Sequence, residues 1–257
     1  NSPAEKSKRI EENDLLIEIN GKNIENLPFQ DVLKKMKDKK EIILGLKRPS
    51  GEDYTPVFQV RLNKKPISLD EERLQYRFEK TETGVIGVLT LKAFYENDQG
   101  VTAEKDMKYA IDQLNRDSNL EGIVLDLREN SGGFLSQAVK IAGLFIKSGI
   151  VVVAKYSKGE TLYFRSMGKE PYYSGPLIIL TSKYSASASE IVAQALQDYG
   201  VALIVGDERT FGKGSIQYQT VTNENAGIYF KVTVGKYYTP SGRSTQIDGV
   251  ISDIYVP

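Results

Sequence analysis

The spacing of apolar and polar positions changes several times along the chain, and each change marks an element. Leu15-Leu16-Ile17-Glu18-Ile19 reads as a short strand, closed by the turn pair Asn20-Gly21. Phe29, Val32, Leu33 and Met36 follow helical spacing. Glu41–Lys47 reads as a strand that Pro49-Ser50-Gly51 turns into another, Tyr54–Leu62, where Phe58, Val60 and Leu62 alternate with Gln59 and Arg61. Residues 1–65 therefore predict a small α/β or β-rich module. Residues 66–83 are charged and weakly periodic, with Pro66 and the run Asp70-Glu71-Glu72-Arg73. They read as a linker holding at most one strand, around Tyr76–Phe78.

From residue 84 to 257 strands and helices alternate. Val85–Leu91 and the near-continuous apolar run Gly122–Leu127 read as strands, the second buried on both faces. Met107, Ala110, Ile111 and Leu114 form one helical face, and Leu135, Val139, Ala142 and Phe145 another. Ile150–Ala154, Leu177–Leu180 and Val201–Val205 are further strands, with a helix from Ser187 to Tyr199 before the last. Ser215–Tyr238 is strand-like throughout. The βαβ alternation predicts an α/β domain with a mostly parallel sheet.

Composition then removes whole classes of chemistry. Among 257 residues, 34 are Lys or Arg and 34 Asp or Glu, which gives no electrostatic case for a nucleic-acid partner. No apolar run approaches the ~20 residues of a membrane span. There is no Cys and no His. A Ser-His-Asp triad, a cysteine protease and a histidine-ligated metal site are impossible, so any nucleophile must be Ser, Thr or Lys, with Lys or a carboxylate as base.

Three junctions can carry chemistry, and each has a plain alternative. Tyr184-Ser185-Ala186-Ser187-Ala188-Ser189-Glu190 follows a buried strand and opens a helix. Free N–H groups there favour developing negative charge, which suits a nucleophile, yet Ser187 and Glu190 also form an ordinary capping box. Thr210-Phe211-Gly212-Lys213-Gly214-Ser215 fails as a phosphate loop, because Asp207 stands where the first Gly belongs and Gly214 replaces the Ser/Thr after the Lys. Lys213 is either a solvated turn residue or a desolvated, neutral base. Asp126-Leu127-Arg128-Glu129-Asn130-Ser131-Gly132-Gly133 is either a tight βα turn or an oxyanion cradle. Junctions that follow strands of one parallel sheet gather at its carboxyl edge, where active sites sit. With no histidine, Ser plus Lys is the main nucleophile–base pair that remains.

These three stretches, with Asn1-Ser2-Pro3-Ala4-Glu5-Lys6-Ser7 and Tyr237-Tyr238-Thr239-Pro240-Ser241-Gly242-Arg243-Ser244-Thr245-Gln246, resemble the C-terminal processing, or tail-specific, serine proteases. Ala142-Gly143-Leu144-Phe145-Ile146 and Gln197-Asp198-Tyr199-Gly200 resemble the bacterial tail-specific subgroup. The resemblance implies a PDZ domain, truncated at its N-terminus, over residues 1–65. After the 66–83 linker it implies a protease core of ClpP/crotonase type over 84–257. It places the nucleophile at Ser187, the base at Lys213 and a supporting glutamine at Gln217. The oxyanion donors fall on Ala188 and on Gly132 or Gly133, and Asp198 takes a supporting role. It implies no cofactor or metal, protein substrates with apolar C-terminal tails, and a place in the periplasm or cell envelope, and it leaves a homo-oligomer open. Ser131 departs from the family's Pro or Gly, and Ser252 from its Pro. The alternative is a peptide-binding scaffold of the same fold without activity, against which the presence of both Ser187 and Lys213 speaks.

Overall fold

The computed structural model describes residues 2–37, 39–64, 73–116, 119–223 and 228–256. The chain divides into two units, Asn1–Glu71 and Glu72–Pro257.

In the first unit, α1 (Pro3–Ser7) starts where Ser2 and Glu5 satisfy each other's main-chain N–H, with Pro at its first turn. Strands β1 (Leu15–Ile19) and β2 (Lys22–Asn23) are joined through Asn20 and Gly21, both at positive φ, the geometry of a tight hairpin turn. Then come α2 (Phe29–Lys37), β3 (Glu41–Lys47), the short ribbon β4 (Pro49–Ser50) and β5 (Asp53–Tyr54), and β6 (Phe58–Asn63). The sheet runs β2-β1-β3-β6, and Ile19, Ile42, Leu44, Leu46 and Val60 form its core. Two details differ from the sequence pattern. The expected strand Tyr54–Leu62 begins only at Phe58, because Pro56 cannot donate to a ladder and separates β5 from β6. The α2 stripe splits: Val32 and Met36 pack on the core, while Phe29 and Leu33 stay exposed.

The second unit contains β7 (Gln75–Lys80), β8 (Val85–Thr90), α3 (Ala103–Arg116), β9 (Leu120–Asp126), α4 (Leu135–Ala142), β10 (Gly149–Tyr156), β11 (Thr161–Ser166), β12 (Leu177–Thr181), α5 (Ala188–Asp198), β13 (Leu203–Gly206), β14 (Ser215–Asn223), β15 (Ile228–Tyr238) and β16 (Ile254–Tyr255). Its main sheet runs β16-β13-β12-β9-β8-β7, parallel from β8 to β16 with β7 antiparallel at the edge. The end of the expected linker is thus strand β7, and 66–72 lies outside the described residues. Ile150–Ala154 does not join the parallel sheet. As part of β10 it enters a separate antiparallel sheet, β11-β10-β15-β14. A tight turn returns the chain from β10 to β11, and an antiparallel hairpin needs no crossover helix. Phe145 is buried, but α4 stops before it at Gly143. Met107, Ile111 and Leu114 of α3, Ile141 of α4 and Val192 and Leu196 of α5 pack with Leu89, Ile123, Leu125 and Ile179 of the parallel strands into one core. No described helix is long and apolar enough to cross a membrane.

The register fixes where the junctions meet. Thr90 and Leu180 both lie opposite Asp126, and Thr181 lies opposite Gly206. The segments that follow β9, β12 and β13 therefore leave the sheet at the same carboxyl edge.

Candidate active site

Ser187 sits between β12 and α5, as the N-cap of the helix, at φ 59° and ψ −111°. A non-glycine residue rarely adopts positive φ, and such strain gathers at functional sites. Ser187 makes no side-chain cap hydrogen bond. Its main-chain N–H donates to Oε2 of Glu190 at 2.8 Å, one half of the capping box.

The serines around it have other tasks. Ser182, Ser185 and Ser189 donate through their hydroxyls to the carbonyls of Arg128, Leu127 and Asn130. The Asn130 carbonyl also accepts from Ala186 N–H at 3.1 Å. The Ser185–Ser189 junction and the Asn130–Gly133 turn are thus stitched together, with the hydroxyls of Ser185 and Ser189 on different carbonyls.

Lys213 lies in the loop after β13, with Gly212 before it at φ 88°. Glu190 fixes this loop as well. Its Oε1 accepts from Thr210 Oγ1 at 2.6 Å and Gly212 N–H at 2.7 Å, and its Oε2 accepts from Lys213 N–H at 2.9 Å. Ser187 N–H and Lys213 N–H therefore meet on one oxygen atom, which makes their backbones neighbours. Glu190 is 0% exposed, so four donors stand in for the water its carboxylate has lost. Phe211 N–H donates to Ser185 O at 3.0 Å, and Ile247 N–H to Gly212 O at 2.9 Å, which braces the lysine loop from both sides.

Gly132, at φ 112°, closes the site from below. A Cβ there would lie 2.9 Å from Ser187 Cβ and 3.1 Å from Ala188 N. Only glycine lets this turn approach so closely. Its N–H is committed to Asn130 Oδ1 at 2.8 Å. By contrast, the N–H groups of Gly133 and Ala188 have no hydrogen-bond partner among the described residues. Of the two glycines, Gly133 is the one with a donor to offer.

A cleft of about 520 Å³ opens at the same edge, lined by Thr90, Lys92, Asp126, Arg128, Ser182 and Tyr184 among others. Arg128 grips Asp126 through two nitrogens, at 2.9 and 2.7 Å. Burial pushes the Asp126 carboxyl up, but hydrogen bonds from the Arg128 guanidinium and main chain outweigh it and hold the pKa below the ordinary value.

Two further expected residues have contacts of their own. Gln217 is on β14, exposed, and its amide reaches Thr233 Oγ1 of β15 at 3.5 Å. Asp198 is the last residue of α5, at the opposite end of the helix from Ser187. It accepts from Gln194 Nε2 at 3.0 Å and from Ser241 N–H at 2.9 Å, and so anchors the turn after β15. Glu190 is the residue whose reach the sequence pattern missed. A carboxylate in the first turn of a largely buried helix that contains no Lys or Arg was the available signal. Among the described residues no cluster of carboxylates is placed to hold a metal ion.

The profile of peptidase family S41 matches residues 85–256. The chain belongs to peptidase family S41. A PDZ-domain profile matches residues 1–47. The tail-specific protease of Haemophilus influenzae is 30% identical over 270 residues, which cover 100% of this chain and 37% of that protein. A probable CtpA-like serine protease of Staphylococcus aureus is 32% identical over 260 residues, 99% of this chain and 48% of that one. The chain thus spans less than half the length of these relatives. Among solved structures, a photosystem II D1 C-terminal processing protease superposes with TM-score 0.59 at 25% identity, covering 99% of this chain and 65% of the other. A putative S41 protease of Bacteroides fragilis shares the fold, with TM-score 0.64 at 16% identity over 100% of this chain and 68% of its own.

Proposed function

We propose that the chain carries the catalytic core of a serine endopeptidase that cuts protein substrates near their C-termini. The observation that supports this reading best is the shared Glu190 carboxylate, on which the backbones of Ser187 and Lys213 converge beside Gly132. In this reading Ser187 Oγ attacks the scissile carbonyl while the Lys213 amine takes its proton. The oxyanion is held by the N–H groups of Ala188 and Gly133. Lys213 then passes the proton to the leaving amine, and the acyl-enzyme on Ser187 is hydrolysed by a water that the same amine activates. Gln217 orients the lysine without adding charge, and Asp198 plays a supporting part by holding the turn at Ser241.

The wider reading follows the same line. Residues 1–65 act as the PDZ module, 66–83 as a linker that ends in an edge strand, and 84–257 as a core of ClpP/crotonase type. Apolar substrate tails and a place in the cell envelope or periplasm complete it. The test is a peptidase assay on an unfolded protein with an apolar tail. Ser187→Ala and Lys213→Arg should each lose at least ~10³-fold in turnover, because alanine has no nucleophile and a guanidinium cannot give up its proton. Substantial activity in Lys213→Arg would remove lysine from the mechanism.

A further inference from the structure

The antiparallel sheet of the second unit has two unlike faces. One packs inward through Val152, Ala154 and Ile216. Directly paired residues share a face, and so do residues two apart on one strand. The pairings Val153↔Tyr163, Val153↔Tyr238, Lys155↔Lys236 and Ser215↔Lys236 therefore set Lys155 and Lys236 on the opposite, outer face, and Lys231, paired with Gln219 four residues on from Ser215, joins them because β15 bulges by one residue between Gly235 and Thr233. Arg165, two residues beyond Tyr163, lies there too. All four cations are exposed, and none forms an ion pair with a carboxylate among the described residues. Two of them stand over aromatic rings: Lys155 Nζ lies 4.6 Å from the Tyr238 ring centre, and the Arg165 guanidinium 5.7 Å from that of Tyr163.

This segregation is unusual for a chain with 34 cations and 34 anions. It also has a cost, since Lys155 and Lys236 sit directly across from each other and like charges in that position destabilise a sheet. The face is continuous with the lysine loop: Ser215, opposite Lys236, is two residues past Lys213, and Tyr237 N–H donates to Gly214 O at 2.7 Å. We propose that this cationic, tyrosine-bearing face docks an acidic segment of the polypeptide substrate and guides it toward Lys213. The proposal names a substrate feature for the peptidase reading above and rests on it. Charge complementarity favours this occupant: unpaired, preorganised cations beside a site that must hold an unfolded chain attract Asp- and Glu-rich stretches and raise the encounter rate.

The experiment measures binding, so it does not depend on turnover. Ser187→Ala protein is titrated into two labelled, unstructured polypeptides of one sequence, one with an Asp/Glu-rich segment and one with Asn/Gln in its place. The acidic version should bind roughly tenfold tighter at low ionic strength, and the preference should shrink as salt screens it. Lys155→Glu with Lys236→Glu should abolish the preference, and Lys155→Gln with Lys236→Gln should reduce it. Equal binding of the two polypeptides, or a preference that survives charge reversal, would overturn the proposal. So would charge-dependent binding to anionic phospholipid vesicles without any preference between polypeptides. A parallel assay of the unmutated chain separates the two ideas: acidic binding without any cleavage would sink the peptidase reading and leave the docking face standing.

Discussion

The carboxyl edge of the parallel sheet and the outer face of the antiparallel sheet treat charge in opposite ways. At the edge, the two buried carboxylates are both answered. Glu190 receives four donors, and Asp126 receives the Arg128 fork. On the outer face, Lys155, Arg165, Lys231 and Lys236 are exposed, with no carboxylate paired to them among the described residues. The difference separates two uses of charge. A buried carboxylate fixes backbone geometry, because each donor it accepts has nowhere else to go. An exposed cation fixes nothing in the fold and is free to meet something outside it.

The largest effect should come from breaking the buried side of this contrast at Glu190. Glu190→Gln keeps the volume but replaces one acceptor oxygen with a donating NH2. That group faces main-chain N–H donors on either side, since both oxygens of the carboxylate accept from backbone. Buried donors left without an acceptor cost about 1–3 kcal/mol each, so destabilisation of about 3 kcal/mol is expected, read by urea unfolding. If the peptidase reading is right, turnover should fall by ~10²-fold or more under conditions where the variant is still folded, because the lysine loop loses its tie to Ser187. A folded variant with normal turnover would show that the shared carboxylate is scaffolding without influence on the site.

Much of this edge was legible in the chain. The strands β8, β9, β12 and β13 announce themselves as apolar runs, and the three junctions after β9, β12 and β13 meet as parallel topology requires. What the pattern could not give was long-range pairing. Ser187-Ala188-Ser189-Glu190 reads as a capping box because local spacing reports only the bond to the helix's own N–H. The three donors from Thr210, Gly212 and Lys213 come from a loop 20 to 23 residues away, which no local period records. The same limit explains β10, whose apolar residues look like those of a parallel strand although its partners are antiparallel. The cationic face was hidden for a further reason. Its members come from three strands, and only the register brings them to one side.

A second, smaller effect tests the other answered charge. Arg128 holds the Asp126 pKa below its ordinary value. A carboxyl with a depressed folded pKa stabilises the fold above its unfolded pKa, and that contribution is lost as pH falls through the folded one. Arg128→Met removes the depression and leaves burial, which pushes the carboxyl the other way. The variant should be less stable at neutral pH by about 1 kcal/mol, a modest figure because the Arg128 side chain is 58% exposed and water screens it. The deficit should shrink as pH falls below about 4, where the carboxyl protonates in either protein. Urea midpoints at neutral and acid pH measure it. A deficit independent of pH would mean that Arg128 contributes packing alone.

The smallest effect lies on the outer face, and its sign is the informative part. Lys155 and Lys236 are a like-charged pair directly across two strands. If they were kept for the fold, replacing one would weaken it. If they are kept for a partner, the fold is carrying a small repulsion, and relieving it should help. Lys236→Glu turns the pair into an attraction, so the midpoint of thermal unfolding should rise, by about 2 °C or less for a surface change in a unit of this size. The same substitution should weaken the acidic polypeptide, since it puts a carboxylate where that segment would lie. Stability and binding would then move in opposite directions at one residue. A fall in the midpoint would return Lys236 to the fold and take away the reason to look for anything docked on this face.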